Sequence, residues 1–250
     1  MDRFRNGAER MISLYVRKKA PYYILGIAAI AVLASMGPLC YLDNDESLSV
    51  AAAVVYFPKE RLLGFSAEDA FHSCATSWMY VLLAAIAALP SASSVYEELA
   101  SRFYMEVEGR MGKYRYVYSR LLYSAASGGV LSAAGLVAYA LAVSCIFPLS
   151  PIYPGGQEPY GSNAMMAGAL LLSIGAKTLY MASYGMAMSV LAMFLVFLYP
   201  DLYTCLGVLF TIGYLLKEAA MAEAMLLPWG MAAAGAAACG ILWKMKGGRA

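Results

Sequence analysis

Apolar runs long enough to cross a bilayer alternate along this chain with short polar stretches. Residues 2–19 place Phe4, Ala8, Met11, Ile12 and Tyr15 at helical spacing among Arg3, Arg5, Arg10, Arg17, Lys18 and Lys19. An apolar stripe in a basic surface predicts an interfacial amphipathic helix on an anionic membrane face, with Pro21 turning the chain into the bilayer. A first span follows at about 22–41. The apolar piece Leu48–Phe57, flanked by charged residues, is too short to cross and belongs at the interface or re-enters. Ser66 and Asp69 form a capping box that starts the helix becoming the second span, about 71–90. A polar loop at 91–119 leads to a third span, about 120–147, which a Pro- and Gly-rich loop (148–161) ends. Between Asn163 and Leu198 the one charge is Lys177. At mid-bilayer it would cost about 2.5–3.5 kcal/mol, so it marks an interface. The expected reading is an interfacial helix at 163–175 and a fourth span at about 177–198. Tyr199-Pro200-Asp201 then turns into a fifth span, about 203–217, and a sixth follows at about 226–243. An alternative sets the fourth span at 162–181, the fifth at 184–199 and a re-entrant helix at 202–217. It keeps six spans but puts Asp201 on the other side.

Composition agrees with this pattern. The chain is 62% hydrophobic and 14% charged, and a soluble core of 250 residues does not need runs such as Tyr22–Cys40. The expected class is all-α: a single polytopic membrane domain of six spans with an N-terminal interfacial helix. With both termini inside the cell membrane, six basic residues of the N-terminal segment, five of the 91–119 loop with Arg120, and Lys244, Lys246 and Arg249 are cytoplasmic. That leaves Lys59, Arg61, Lys177 and Lys217 outside, as the positive-inside rule asks. The basic N-terminal segment thus meets membrane lipid, not nucleic acid. The first apolar run is too long for a signal-peptide core, and Gly37-Pro38-Leu39-Cys40 is no lipoprotein cleavage box, so a retained span is expected. The five cysteines stand singly in or beside apolar runs and read as buried small hydrophobes.

Little in the chain carries chemistry of its own. Gly112-Lys113 and Gly175-Ala176-Lys177-Thr178 lack phosphate-loop spacing, and Ser127-Gly128-Gly129 reads as a small-residue packing site within a span. Ala232, Ala236 and Gly240 let backbones approach closely, inside the subunit or between subunits. Asp43, Asp45 and Glu46 suit a solvated loop better than a calcium site. His72, the one histidine, suits a hydrogen-bonded interfacial residue. Lys217, Glu218 and Glu223 near the outer face are candidates for an exit gate, against snorkelling or local pairing. No metal ligand set and no cofactor site is expected.

The charged island Tyr96–Arg120, YEELASRFYMEVEGRMGKYRYVYSR, is the place to look for function. Ser94 with Glu97 forms a capping box that predicts a helix near 94–108. Tyr96, Leu99, Phe103 and Val107 make one apolar stripe on it, and Glu98–Arg102 and Glu106–Arg110 are pairs at i,i+4. Glu97-Glu98 and Arg102 also resemble the first motif of the CAAX-processing intramembrane protease family. That family needs downstream histidines, and His72 lies upstream on the opposite side.

The basic amphipathic N-terminal helix, six spans and charged loop between spans two and three together resemble a type 2 ABC exporter permease. Glu97-Glu98 then Ser101, followed by Arg110-Met111-Gly112-Lys113-Tyr114 and Arg120, is similar to that family's acidic–small–basic pattern, and Tyr199 to Tyr203 with Pro200 sits where related permeases turn. The resemblance covers the whole chain in architecture. It implies a coupling helix, with Tyr96, Glu97, Glu98, Arg102, Phe103, Arg110 and Lys113 docking on a separate ATP-binding subunit. It also implies two copies of that subunit, which would carry ATP and Mg, and a second permease chain, identical or a sister, around a central path. ATP hydrolysis then belongs to the partner, and this chain is a transporter subunit and no enzyme. The scarcity of intramembrane charge speaks against an ion-coupled pump and for apolar or amphipathic cargo such as a peptide, a drug or a lipid. A non-transporting assembly subunit would show the same topology.

Overall fold

The computed structural model describes residues 2–41, 47–58, 62, 65–74, 76–149, 163–221 and 228–237. The order is α1 (Asp2–Ser35), β1 (Pro38–Tyr41), β2 (Ser47–Ser49), α2 (Val50–Tyr56), α3 (Ala67–His72), α4 (Ser77–Ala100), α5 (Phe103–Met111), α6 (Lys113–Ile146), α7 (Asn163–Leu198) and α8 (Leu202–Met221). A last helix, α9, covers residues 228–237. The two strands form a small antiparallel pair. Among the described residues four helices, Trp78–Ala100, Tyr114–Ile146, Ala167–Leu198 and Leu202–Ala220, are long and apolar enough to cross a membrane, and the apolar part of α1, Lys19–Ser35, is shorter. The fold is that of an all-α, multi-pass membrane protein.

α4 is the hub. It packs on α1, α6, α7 and α8 and is the most buried of the long helices, whereas α8 lies on its flank and is the least. Thr76 caps its start by accepting from the Met79 amide at 3.2 Å. Its serines stay helical in an apolar setting because they bond their own helix: Ser91 Oγ donates to the Ala88 carbonyl and Ser93 Oγ to that of Pro90. α6 and α7 run antiparallel and cross on small residues. A Cβ added to Gly128 would lie 1.9 Å from Ser189 Oγ, and one added to Gly185 would lie 2.0 Å from Ser132 Oγ. Small residues four apart on both helices bring the backbones together. Ser127-Gly128-Gly129 is therefore a packing site, and Gly129 abuts Met186. In α9 Gly235, between Ala232 and Ala236 in sequence, faces Val190 and Leu191 of α7; Gly240 lies outside the described residues.

Several boundaries differ from those expected. α1 runs unbroken through Pro21, so no turn separates an interfacial helix at 2–19 from the first span. Proline removes one intrahelical bond, but contacts on both sides of it (Lys19 on α4, Gly26 and Ile30 on α6) hold a single axis. The Ser66–Asp69 capping box is present, yet its helix stops at His72, and Thr76 begins α4 afresh. The helix long enough to span here is thus 77–100, where 71–90 was expected. Ser94 lies inside α4, whose N-cap is Thr76, and so does not start a helix. α7 is one 36-residue helix with no break at 176, nor at 182–183 as the alternative requires. The short piece expected at Leu48–Phe57 does not cross; it is β2 followed by the seven-residue α2. Cys74 and Cys205 are buried, but Cys145 is exposed on α6. Asp43, Asp45, Glu46, Glu223, the three basic residues of the C-terminal tail and most of the 148–161 loop lie outside the described residues.

Candidate functional site: the charged end of the bundle

The island folds as three pieces. α4 continues to Ala100, and Ser101 caps it by its amide to the Glu97 carbonyl at 3.0 Å. Arg102 then takes a left-handed φ of 58°, a turn conformation that commonly ends helices. α5 follows, and Gly112 at φ 84° and ψ 147° sets it off from α6. That region is essentially closed to residues with a Cβ, so only glycine fits there without strain. The expected stripe of Tyr96, Leu99, Phe103 and Val107 therefore does not lie on one helix: the turn at Arg102 divides it. Tyr96, Leu99, Tyr104 and Val107 pack against the core, while Phe103 is 50% exposed. Phe103, Glu106 and Arg110, one row of a helix, are all exposed on α5, and Met105 and Arg102 are exposed too.

Both glutamates are engaged within the bundle; Glu98 is buried, while the Glu97 side chain stays 44% exposed. Glu97 pairs with Lys19 of α1 at 3.1 Å, and Lys19, only 2% exposed, also donates to Ser93 Oγ at 3.3 Å and lies over the Tyr22 ring. Glu98, 9% exposed, pairs with Arg120 of α6 at 2.5 Å and accepts from the Tyr116 hydroxyl at 2.9 Å. Arg120 also sits over the Tyr116 ring. The pairing expected between Glu98 and Arg102 is replaced by one across helices, because the left-handed turn takes Arg102 out of register with α4. Adjacent carboxylates on α4 thus bolt α1 on one side and α6 on the other, directly above the root of α5. Lys19 was expected on the membrane face and is instead buried in its pair with Glu97, while Ser93 and Tyr116 carried no expectation from the sequence. The usable sign was an acidic pair in an apolar helix with a basic residue at the start of the next span.

The turn between α7 and α8 lies at this same end. Ser124 meets Met193 and Gly128 meets Ser189, so the C-terminus of α7 returns to the start of α6. Asp201 therefore lies at the island's end, as in the first of the two span arrangements, although the break at 176 which that arrangement needs is absent. Asp201 caps α8 by accepting from the Thr204 amide at 3.0 Å and from its hydroxyl, and these bonds hold its carboxyl below the usual range. Exposed Tyr22, Tyr114, Tyr118, Tyr199 and Tyr203 surround this end, and Tyr56, Trp78, Tyr214 and Trp229 are exposed nearer the other. Amphipathic rings favour membrane–water boundaries.

At the far end Lys217 pairs with exposed Glu218 at 3.8 Å and lies over the Tyr214 ring; with Tyr214, Thr76, Trp78 and Val81 it lines a small cavity between α8 and α4. This is the local pairing weighed against a gate. Buried Lys177 donates to the His72 carbonyl at 3.1 Å, at the C-terminus of α3, and lies over the Phe71 ring. A helix C-terminus favours a cation, which explains how α7 carries this lysine without breaking. His72 itself bonds Ser173 Oγ at 3.2 Å and lies 3.7 Å from Glu68. Lys177→Glu, which sets a negative charge against those carbonyls, is expected to destabilise the bundle by about 2 kcal/mol. Lys177→Met is expected to change it much less. Thermal unfolding of both variants in detergent distinguishes the two. Among the described residues no three His, Cys, Asp or Glu gather as a metal site.

Comparison with protein-family models, with curated proteins and with solved structures finds no match to this chain. Function must therefore be argued from the geometry alone.

Proposed function

We propose that this chain is the permease subunit of an ATP-driven exporter, with α5 as the lever through which a separate ATP-binding subunit moves it. The observation that carries the reading is the mounting of α5. A nine-residue helix with an exposed Phe103–Glu106–Arg110 row hangs between turns at Arg102 and Gly112. Its root is bolted by ion pairs to α1 and α6, so a push on α5 acts on three long helices together. Two ATPase subunits, holding ATP and Mg, would drive two permease chains, identical or sister, around a shared path for apolar or amphipathic cargo. The remaining spans would bring the total to six, with both termini cytoplasmic. Of the residues first considered for docking, the exposed Phe103, Arg110 and Arg102 support it best. Glu97 and Glu98 serve the joint instead, and Lys113 opens α6. The protease reading is less well supported, since both glutamates are engaged by cations from neighbouring helices.

The experiment is purification of the tagged chain from its native membranes in mild detergent. ATP hydrolysis should co-purify, and Phe103→Asp with Arg110→Glu should lower it at least about tenfold, the equivalent of roughly 1.4 kcal/mol of binding, with the chain still recovered. A chain that carries other subunits but no ATPase in any detergent would favour the assembly-subunit reading and overturn this one.

A further inference from the structure

A groove of about 530 Å³ opens sideways between α1 and α6, at the charged end of the bundle. Lys19, Ala20, Tyr23, Ile24, Ser127 and Val130 line it, with Tyr123 and Ala126 along the α6 side. Its origin lies in the joint. Farther down, α1 and α6 touch at glycines: Gly26 faces Leu131 and Gly135 faces Ile30. Nearer the charged end Lys19 reaches to Ser93 and Glu97 of α4, and the contact between α1 and α6 becomes the 2.7 Å bond between the Tyr23 hydroxyl and Ser127 Oγ, the reach of a tyrosine. Ala20 and Ala126 are too small to fill the gap. From Tyr123 to Val130 the groove follows α6 for about 10 Å, roughly one third of the hydrocarbon thickness.

We infer that this groove holds one acyl chain of an anionic phospholipid from the leaflet at the charged end. The interior is apolar, and the Lys19 charge is met by Glu97, so nothing inside it asks for a charged ligand. The sequence turns basic directly before the groove's first lining residue. Position 17 continues the α1 row of Ala20 and Ile24 one turn toward the N-terminus, and that position is Arg17, followed by Lys18. Residues 2–18 carry five basic residues against Asp2 and Glu9. An apolar slot next to a basic stretch of the same helix complements a lipid with a negative headgroup, and exposed Tyr22, beside Lys19, is the kind of amphipathic ring that favours a membrane–water boundary. Neither the exporter reading nor any partner chain is needed for this site.

The test is native mass spectrometry of the intact purified chain titrated with phosphatidylglycerol or with phosphatidylcholine of identical chains. The anionic lipid should be retained in preference, by about fivefold for each of Arg17 and Lys18. Arg17→Gln with Lys18→Gln should remove the preference but leave a weaker, headgroup-blind retention. Ala126→Trp should remove both, and Val130→Trp, which fills the same groove from a more exposed position, guards against misfolding of the first variant. Inorganic phosphate should not compete. Equal retention of the two lipids by the unaltered chain overturns the inference. So does displacement by phosphate, which would mean a free-anion site, or retention unchanged in both tryptophan variants. Loss of a dimer in those variants, with lipid retention unchanged, would make the groove a protein interface and overturn it too.

Discussion

Gly185→Leu is expected to prevent the bundle from forming. The Cβ alone would sit 2.0 Å from Ser132 Oγ and 2.6 Å from the Gly128 carbonyl, and the second of these is backbone that no rotamer change can move. α6 and α7 must then separate along the crossing, and with them goes the Ser189 hydroxyl bond to the Ala87 carbonyl of α4, 2.9 Å long. The cost should exceed about 4 kcal/mol, beyond the ordinary range for one substitution. Gly128→Leu, where the Cβ would meet Ser189 Oγ and the Gly185 carbonyl, should fail in the same way. Gly175→Leu is the control, since nothing lies within 4 Å of its added Cβ. Size-exclusion profiles in detergent should show an aggregated Gly185→Leu and a monodisperse Gly175→Leu. Two indistinguishable profiles would mean that α6 and α7 do not cross on these residues.

Arg120→Met should cost roughly 3 kcal/mol, because it leaves the buried Glu98 carboxylate without its cation. The Tyr116 hydroxyl still donates to Glu98, but one neutral donor does not replace a guanidinium. Replacing both partners, Glu98→Gln with Arg120→Gln, should recover at least half of the loss, since the uncompensated charge is then gone. The three proteins can be ranked by thermal unfolding in one detergent. If Arg120→Met unfolds within a degree or two of the parent, the pair is screened by solvent and does not bolt α6 to α4.

The ends of the long helices were legible where proline or polar clusters punctuate the chain. Pro148 follows the end of α6 at Ile146 by two residues, and Pro200 follows the end of α7 at Leu198 by the same distance. The C-terminal third of α4 was not legible. Its serines and glutamates look like a solvated loop, because a local window does not show that the serines bond their own helix or that the glutamates meet cations from elsewhere. The partner of Glu98 lies on the next long helix, and that of Glu97 on the first. Lys177 misled for the same reason: its partner is the carbonyl of His72, on α3. The exposed row on α5 was partly visible, with Phe103 and Arg110 both named among the docking residues. The turn that separates them from Tyr96 depends on a left-handed conformation at Arg102, a residue that seldom adopts it.

The ion pair between Lys19 and Glu97 also orders events during synthesis. Lys19 leaves the ribosome 78 residues before the carboxylate that neutralises it. A bare ammonium is costly inside hydrocarbon, so the first helix must keep that lysine at the headgroups while the chain ahead of Glu97 is still being made. Glu98 and Arg120 are much closer together in sequence and can pair within the hairpin of α4 and α6 before α1 seats, which leaves Glu97 as the carboxylate of this joint still waiting for its cation. The hairpin of α4 and α6 is thus a unit of insertion, and the charged end of α1 is a late arrival that seats only after its counter-ion has been delivered.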